Sequence, residues 1–154
     1  MTIHYTIGDA TTAPAPAIIA HVCNDIGAWG AGFSGALSRR YPDAEHAFRC
    51  VRPRGGEVQF VGVANRITVA NMVAQHGIRS ASNPVPLQYD WLECCLQELT
   101  KPRKWIVAET VIHMPRIGCG LAGGDWAKVE RLIQQVVTRQ VVVYDLPRRQ
   151  APDL

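Results

Sequence analysis

The run Ala17-Ile18-Ile19-Ala20-His21-Val22-Cys23 is apolar at both alternating positions, with a single histidine among them. Successive side chains of a strand point to opposite faces, so a strand of this composition needs cover on both sides. It fits the centre of a sheet sandwiched between helices. The rest of the pattern agrees with that placement. Residues 2–7 alternate as a short edge strand that stops at Gly8-Asp9, and Val58–Val63 with Ile67–Ala74 read as a hairpin around Asn65-Arg66. Trp105–Met114 and Gln140–Leu146 read as further strands. Helical spacing runs from about Gly32 to Arg40, where Tyr41-Pro42 ends it and another short helix follows. It returns over Leu87–Leu99, apolar at 87, 91, 92, 95, 96 and 99, and from about Asp125 to Thr138, with Trp126, Val129, Leu132, Ile133, Val136 and Val137. Strands alternating with helices specify a layered α/β domain with a largely parallel sheet.

The chain has 154 residues, 47% of them hydrophobic, which is enough for one domain with its own core. Sixteen Lys+Arg against thirteen Asp+Glu leave a formal charge of +3. That is too slight for a protein whose affinity comes from neutralising many phosphates, and it suits a local site for one anionic ligand. Five cysteines, Cys23, Cys50, Cys94, Cys95 and Cys119, form no C-x-x-C pair and read as reduced thiols in a cytoplasmic protein. Met1–Tyr5 lacks a signal-peptide pattern, and no apolar run reaches roughly 18 residues, so neither secretion nor a membrane partner is expected.

Two glycine-rich stretches follow strands and lead into helices. The first is Asn24-Asp25-Ile26-Gly27-Ala28-Trp29-Gly30-Ala31-Gly32, and the second is Gly118-Cys119-Gly120-Leu121-Ala122-Gly123-Gly124. In open α/β sheets ligands bind beyond the carboxyl ends of strands, where glycine lets the backbone approach and helix N-termini attract phosphate. Two such loops side by side would clamp a diphosphate. One helix terminus contributes roughly 0.3–1 kcal/mol to anion binding, whereas micromolar affinity requires about −8 kcal/mol. Several donors and burial of an adenine-like group are therefore needed. Gly30-Ala31-Gly32-Phe33-Ser34-Gly35 also spells G-x-G-x-x-G, but it lies too far from the preceding strand for a dinucleotide fingerprint, and no ribose-binding acid follows.

These residues together resemble the macrodomains, a family that binds ADP-ribose. The resemblance is carried by Gly8-Asp9, His21-Val22-Cys23-Asn24, Trp29-Gly30-Ala31-Gly32, Arg40-Tyr41-Pro42, Met114 to Leu121, Trp126, and Val143-Tyr144-Asp145-Leu146. It is nearest to the yeast-type ADP-ribose 1''-phosphate phosphatases and the ADP-ribosyl-glutamate hydrolases. The resemblance implies a three-layer α/β/α macrodomain over residues 1–147, with a mixed, largely parallel sheet of about six strands and a polar tail at 148–154. It implies that Asp9, beside Ala10, meets the adenine amino group, that Tyr144 to Leu146 close over the adenine, and that Gly30, Ala31 and Gly32 lie near the diphosphate and distal ribose. Ile117, Gly118, Cys119, Gly120 and Leu121 match the second phosphate loop. Asn24 matches a ribose-holding position, and Asp25 is a candidate for orienting a water at C1'' of that ribose.

Each assignment has a plainer reading. Asn24-Asp25 is ordinary turn chemistry, His21 inside an apolar strand is more often a satisfied core residue than a proton donor, and Asp125 more often caps the last helix than acts as a base. Trp29 packs over the ribose or into the core. The ester hydrolases use a lysine and an aspartate at positions that here hold Gln75 and Ala122, so their lysine route is absent; His76 lies nearby. The expectation is a monomeric hydrolase, free of metal and cofactor, that removes a phosphate or ester-linked group from the distal ribose of ADP-ribose derivatives. ADP-ribosylated protein or nucleic acid would be its partner. A non-catalytic ADP-ribose reader is the alternative, with an NAD-dependent redox domain or an RNA-associated domain behind it.

Overall fold

The computed structural model describes residues 3–30 and 32–147. Six strands form one sheet: β1 (Ile3–Ile7), β2 (Ala17–Asn24), β3 (Val58–Ala64), β4 (Ile67–Gln75), β5 (Val111–Pro115) and β6 (Val141–Asp145). Their spatial order is β1-β6-β5-β2-β4-β3, and every neighbouring pair is parallel except the β3–β4 hairpin. Among the described residues four α-helices complete the domain: α1 (Phe33–Arg40), α2 (Pro42–Arg49), α3 (Tyr89–Thr100) and α4 (Trp126–Val136).

Strand β2 is buried on both faces, as its composition demands. Ile18 and Ala20 join Ala70, Met72 and the inner faces of α3 and α4 in the larger core cluster. Ala17 and Ile19 point the other way, into a smaller cluster with Val69, Leu37 of α1 and Ala44 of α2. The helices therefore cover opposite faces in pairs. None of the helices is long and apolar enough to cross a membrane among the described residues.

One element differs from the sequence reading. The strand expected from Trp105 begins only at Val111, because residues 105–110 fold into turns closed by Ile106 N–H to Arg103 O and Thr110 N–H to Val107 O. Trp105 packs edge-on against Phe60, 5.1 Å between centroids, and stays half exposed. Ile106 packs against the main core cluster instead of extending the strand, and Val107 is exposed.

The sheet order has a consequence for ligand binding. Strands β2 and β5 are neighbours, yet their ladder runs only from Ala17–Val111 to Ile19–His113. Beyond it β2 continues to Asn24 against β4, while β5 continues to Pro115 against β6. The two strands part at their carboxyl ends, and the glycine-rich loops that follow them flank the gap.

Candidate functional site

A cleft of about 620 Å³ occupies that gap, within the range of small-molecule sites. His21, Asn24, Trp29, Gly30, Gly32, Phe33 and Ser34 line it from β2 and the first loop, Pro115 to Gly118 and Gly120 to Ala122 from β5 and the second, and Gln75, Ile78 and Arg79 complete the lining. No carboxylate lines it among the described residues. The charged groups there are two arginines. Arg116 is held by Asp145 (2.6 and 3.0 Å) and lies over the rings of Tyr5 and Trp126, whereas Arg79 has no carboxylate partner among the described residues.

Both loops present free amides. The N-cap of α1 is Gly32 (φ 68°), and no side chain caps that helix. Its first-turn N–H groups have no intrahelical acceptor, so they form an anion site at the cleft wall. In the second loop Cys119, Gly123 and Gly124 donate internally to Arg116, Gly120 and Gly118 oxygens, which folds the loop on itself. The N–H groups of Gly120, Leu121 and Ala122 have no acceptor among the described residues. Gly118 sits at φ 74°, and Gly124 is required by crowding. A Cβ on Gly124 would lie 2.4 Å from Leu87 Cδ2 and 2.6 Å from Gly118 O.

Asn24 lines the cleft, but its side chain is engaged in building the first loop. Its Oδ1 accepts from Ile26 N–H (3.2 Å) and Ala28 N–H (2.9 Å), and its Nδ2 donates to Ala28 O (2.8 Å). Asn24, expected to hold ribose hydroxyls, is thus also the organiser of the first loop, and one Nδ2 hydrogen has no acceptor among the described residues. Trp29 forms part of the wall and also packs inward. Its Nε1 donates to Ser34 O (2.9 Å), and its ring meets His21 edge-on at 5.2 Å and Phe48 at 5.8 Å.

Asp25, expected to orient a water, is not among the residues that line this cleft. It borders a smaller neighbouring pocket with Ile26, Gly27, Phe48 and Arg49. Its Oδ1 accepts from Gly77 N–H (2.8 Å) and its Oδ2 lies 2.7 Å from His76 Nδ1, while Asp25 N–H donates to Gln75 O. Burial opposes its ionisation, but the Gly77 and His76 contacts outweigh that and hold its carboxyl below the usual range. The residue staples the end of β2 to the segment after β4. Asp125 likewise lies away from the cleft lining and caps α4, accepting from Ala127 N–H at 3.0 Å.

The residues expected at the adenine gather outside the cleft lining. Asp9 accepts from Thr11 N–H (2.9 Å) and Thr11 Oγ1 (2.8 Å), capping a single 3-10 turn at Ala10–Thr12, and Ala10 is buried. Gly8 N–H donates to Asp145 O, which brings Asp9 beside the end of β6, where Tyr144 Oη sits 2.7 Å from His113 Nδ1 and Leu146 is 74% exposed. None of Asp9, Ala10, Tyr144 and Leu146 lines the large cleft, and Cys119 turns its Sγ back to Ile117 O. Ala31 and the tail at 148–154 lie outside the described residues.

His21 is 2% exposed yet reaches the cleft wall. Burial pushes its imidazole down to about 4, so the ring is neutral at pH 7. The sequence reading missed Ser34, Gln75 as a lining residue, and Arg79. Ser34 had one signal, its place in the first turn of a helix that follows glycines and lacks a cap. Arg79 had none, since a loop charge follows no periodicity.

No family model matches the chain. Solved structures and curated proteins resemble it over nearly their whole lengths. A protein of unknown function from Bacteroides thetaiotaomicron is 42% identical, with a TM-score of 0.85 over 95% of this chain and 99% of that one. A macrodomain protein from Streptomyces coelicolor is 40% identical, with a TM-score of 0.79 over 94% and 99%. An ADP-ribose 1''-phosphate phosphatase from Lodderomyces elongisporus is 27% identical over 157 residues, covering 94% of this chain and 98% of its own.

Proposed function

Since the chain belongs to the macrodomain family, we propose that it binds ADP-ribose between its two glycine-rich loops and hydrolyses a phosphate or ester-linked group from the distal ribose. The observation that carries the binding is the uncapped N-terminus of α1 facing the free amides of Gly120, Leu121 and Ala122 across one cleft. A diphosphate is the ligand fragment that spans two such sets of donors. Each charge-assisted hydrogen bond contributes roughly 1.5–3 kcal/mol, so both loops together reach what one terminus does not.

Full-length similarity to a phosphatase acting on ADP-ribose 1''-phosphate supports hydrolysis. An anionic leaving group suits the cleft, whose lining charges are both arginines. Catalysis here rests on positioning: the loops fix the diphosphate, and the distal ribose extends toward Gln75 and Arg79, where a leaving phosphate meets a guanidinium. Gln75 Nε2 donates to Gly77 O (3.0 Å), so its amide is fixed in place.

A reader that binds without turnover is the second reading. It is favoured by the lack of any lining carboxylate among the described residues and by Gln75 and Ala122 at the hydrolases' lysine and aspartate positions. One pair of assays separates the two. Calorimetric titration with ADP-ribose, NAD and AMP is expected to show saturable binding strongest for ADP-ribose. Incubation with ADP-ribose 1''-phosphate and with ester-linked ADP-ribose is expected to release phosphate or the acyl group. Binding with both substrates left intact at high protein concentration establishes the reader; no binding at all rejects both.

A further inference from the structure

Behind the first loop lies a directed chain of buried and partly buried hydrogen bonds. It starts at two backbone carbonyls, which only accept. Gln59 Nε2 donates to Ala47 O (2.9 Å), leaving Gln59 Oε1 to accept from Asn71 Nδ2 (3.1 Å), and Asn71 Nδ2 also donates to Ala44 O (3.2 Å). Asn71 is fully buried, and its orientation is therefore fixed with Oδ1 toward His21. His21 Nε2 lies 2.5 Å from that oxygen and must carry the proton. A neutral imidazole then has Nδ1 as an acceptor, and the group facing it is Ser34 Oγ at 3.3 Å. The Ser34 hydroxyl donates inward.

The arrangement has the order of a serine–histidine–amide triad without its chemistry. Asn71 carries no charge to stabilise an imidazolium, and burial keeps His21 neutral, so Ser34 is not an activated nucleophile. Its proton is committed to His21, and what Ser34 offers the cleft is a pair of lone pairs. A phosphate oxygen, which brings no proton, is disfavoured there. A hydroxyl group is accepted.

We propose that Ser34 is a specificity-determining residue whose hydroxyl, turned inward by His21, accepts a hydrogen bond from an O–H group of the distal ribose. The inference rests on the reading of the cleft as an ADP-ribose site. It divides the α1 terminus into two functions: first-turn backbone N–H groups take the phosphate, and the side chain on the same turn takes the sugar.

Calorimetric titration of wild type, Ser34→Ala and Ser34→Thr with ADP-ribose and with ADP tests it. A single net hydrogen bond is worth roughly three- to tenfold in affinity. Ser34→Ala is expected to weaken ADP-ribose by that factor, to leave ADP unchanged, and to be rescued by Ser34→Thr. Equal weakening of both ligands, or of neither, overturns the proposal. Nitrogen-15 NMR of the wild-type histidines gives an independent check: protonation of His21 at Nε2 is expected, and protonation at Nδ1 overturns it. A wild-type protein that binds neither ligand fails the broader reading instead.

Discussion

His21 shows how one residue answers to the fold before it answers to a ligand. An unfolded histidine takes its proton near pH 6.5, whereas buried His21 takes it near 4. Between those values the unfolded chain binds more protons, so stability falls as pH drops from about 6.5 to 4. The loss is on the order of 3 kcal/mol from this group, and burial of His113 adds to it in the same direction. The carboxylates held low by partners, Asp25 and Asp145, act only below this window, because their stabilisation is present above the unfolded value and is lost as pH falls through the folded one. Urea titrations at pH 7, 5.5 and 4.5 check this, and a flat profile contradicts it. A second prediction concerns Asp25. Replacement by Ala removes a staple outside the cleft, so stability drops by about 1–2 kcal/mol while the ADP-ribose dissociation constant stays within about twofold by titration. At this scale the sequence made His21 legible as a satisfied core histidine. Its partners stand 13 and 50 positions away, and no local pattern reports such a distance.

Two helix starts in this molecule solve the same problem in opposite ways. Helix α4 has Asp125 as its cap, and its free N–H groups are answered by the protein itself. Helix α1 follows Gly32, which has no side chain to offer, and its amides remain available to a ligand. Asp125→Ala is accordingly expected to cost about 1 kcal/mol of stability and to leave ADP-ribose binding intact, as thermal unfolding and titration will show. Gly124→Ala is expected to do the reverse in emphasis. Its Cβ would collide with Leu87 and with Gly118 O, forcing the second glycine-rich loop open. Affinity for ADP-ribose should fall at least tenfold, with destabilisation of about 1–3 kcal/mol. Helices and their caps were readable because periodicity and capping chemistry are local. The late start of β5 was not, since residues 105–107 carry strand-forming composition, yet Trp105 packs on Phe60 and Ile106 against the core from within turns.

At the scale of the molecule, the cleft exists because β2 and β5 lie side by side and then diverge. Nothing in residues 17–24 or 111–115 states that adjacency. The sequence supplied the two loops but not the pairing that sets them side by side, while the two-faced burial of β2 followed from its composition and the α/β class from the alternation of strand and helix patterns. The same limit hid the partners of Asp25: Gly77 and His76 stand 52 and 51 positions away, across the β2–β4 pairing. The loops were legible, and the side chains behind them were not.

The central claim, that one diphosphate is held between two sets of backbone amides, is tested most directly by a crystal structure with ADP-ribose bound. The account predicts phosphate oxygens within hydrogen-bond distance of the first-turn N–H groups of α1 and of the Gly120 to Ala122 amides, with the distal ribose beside Ser34. A diphosphate seated in the neighbouring pocket at Asp25 and Arg49, or in the main cleft but touching neither loop, would contradict it.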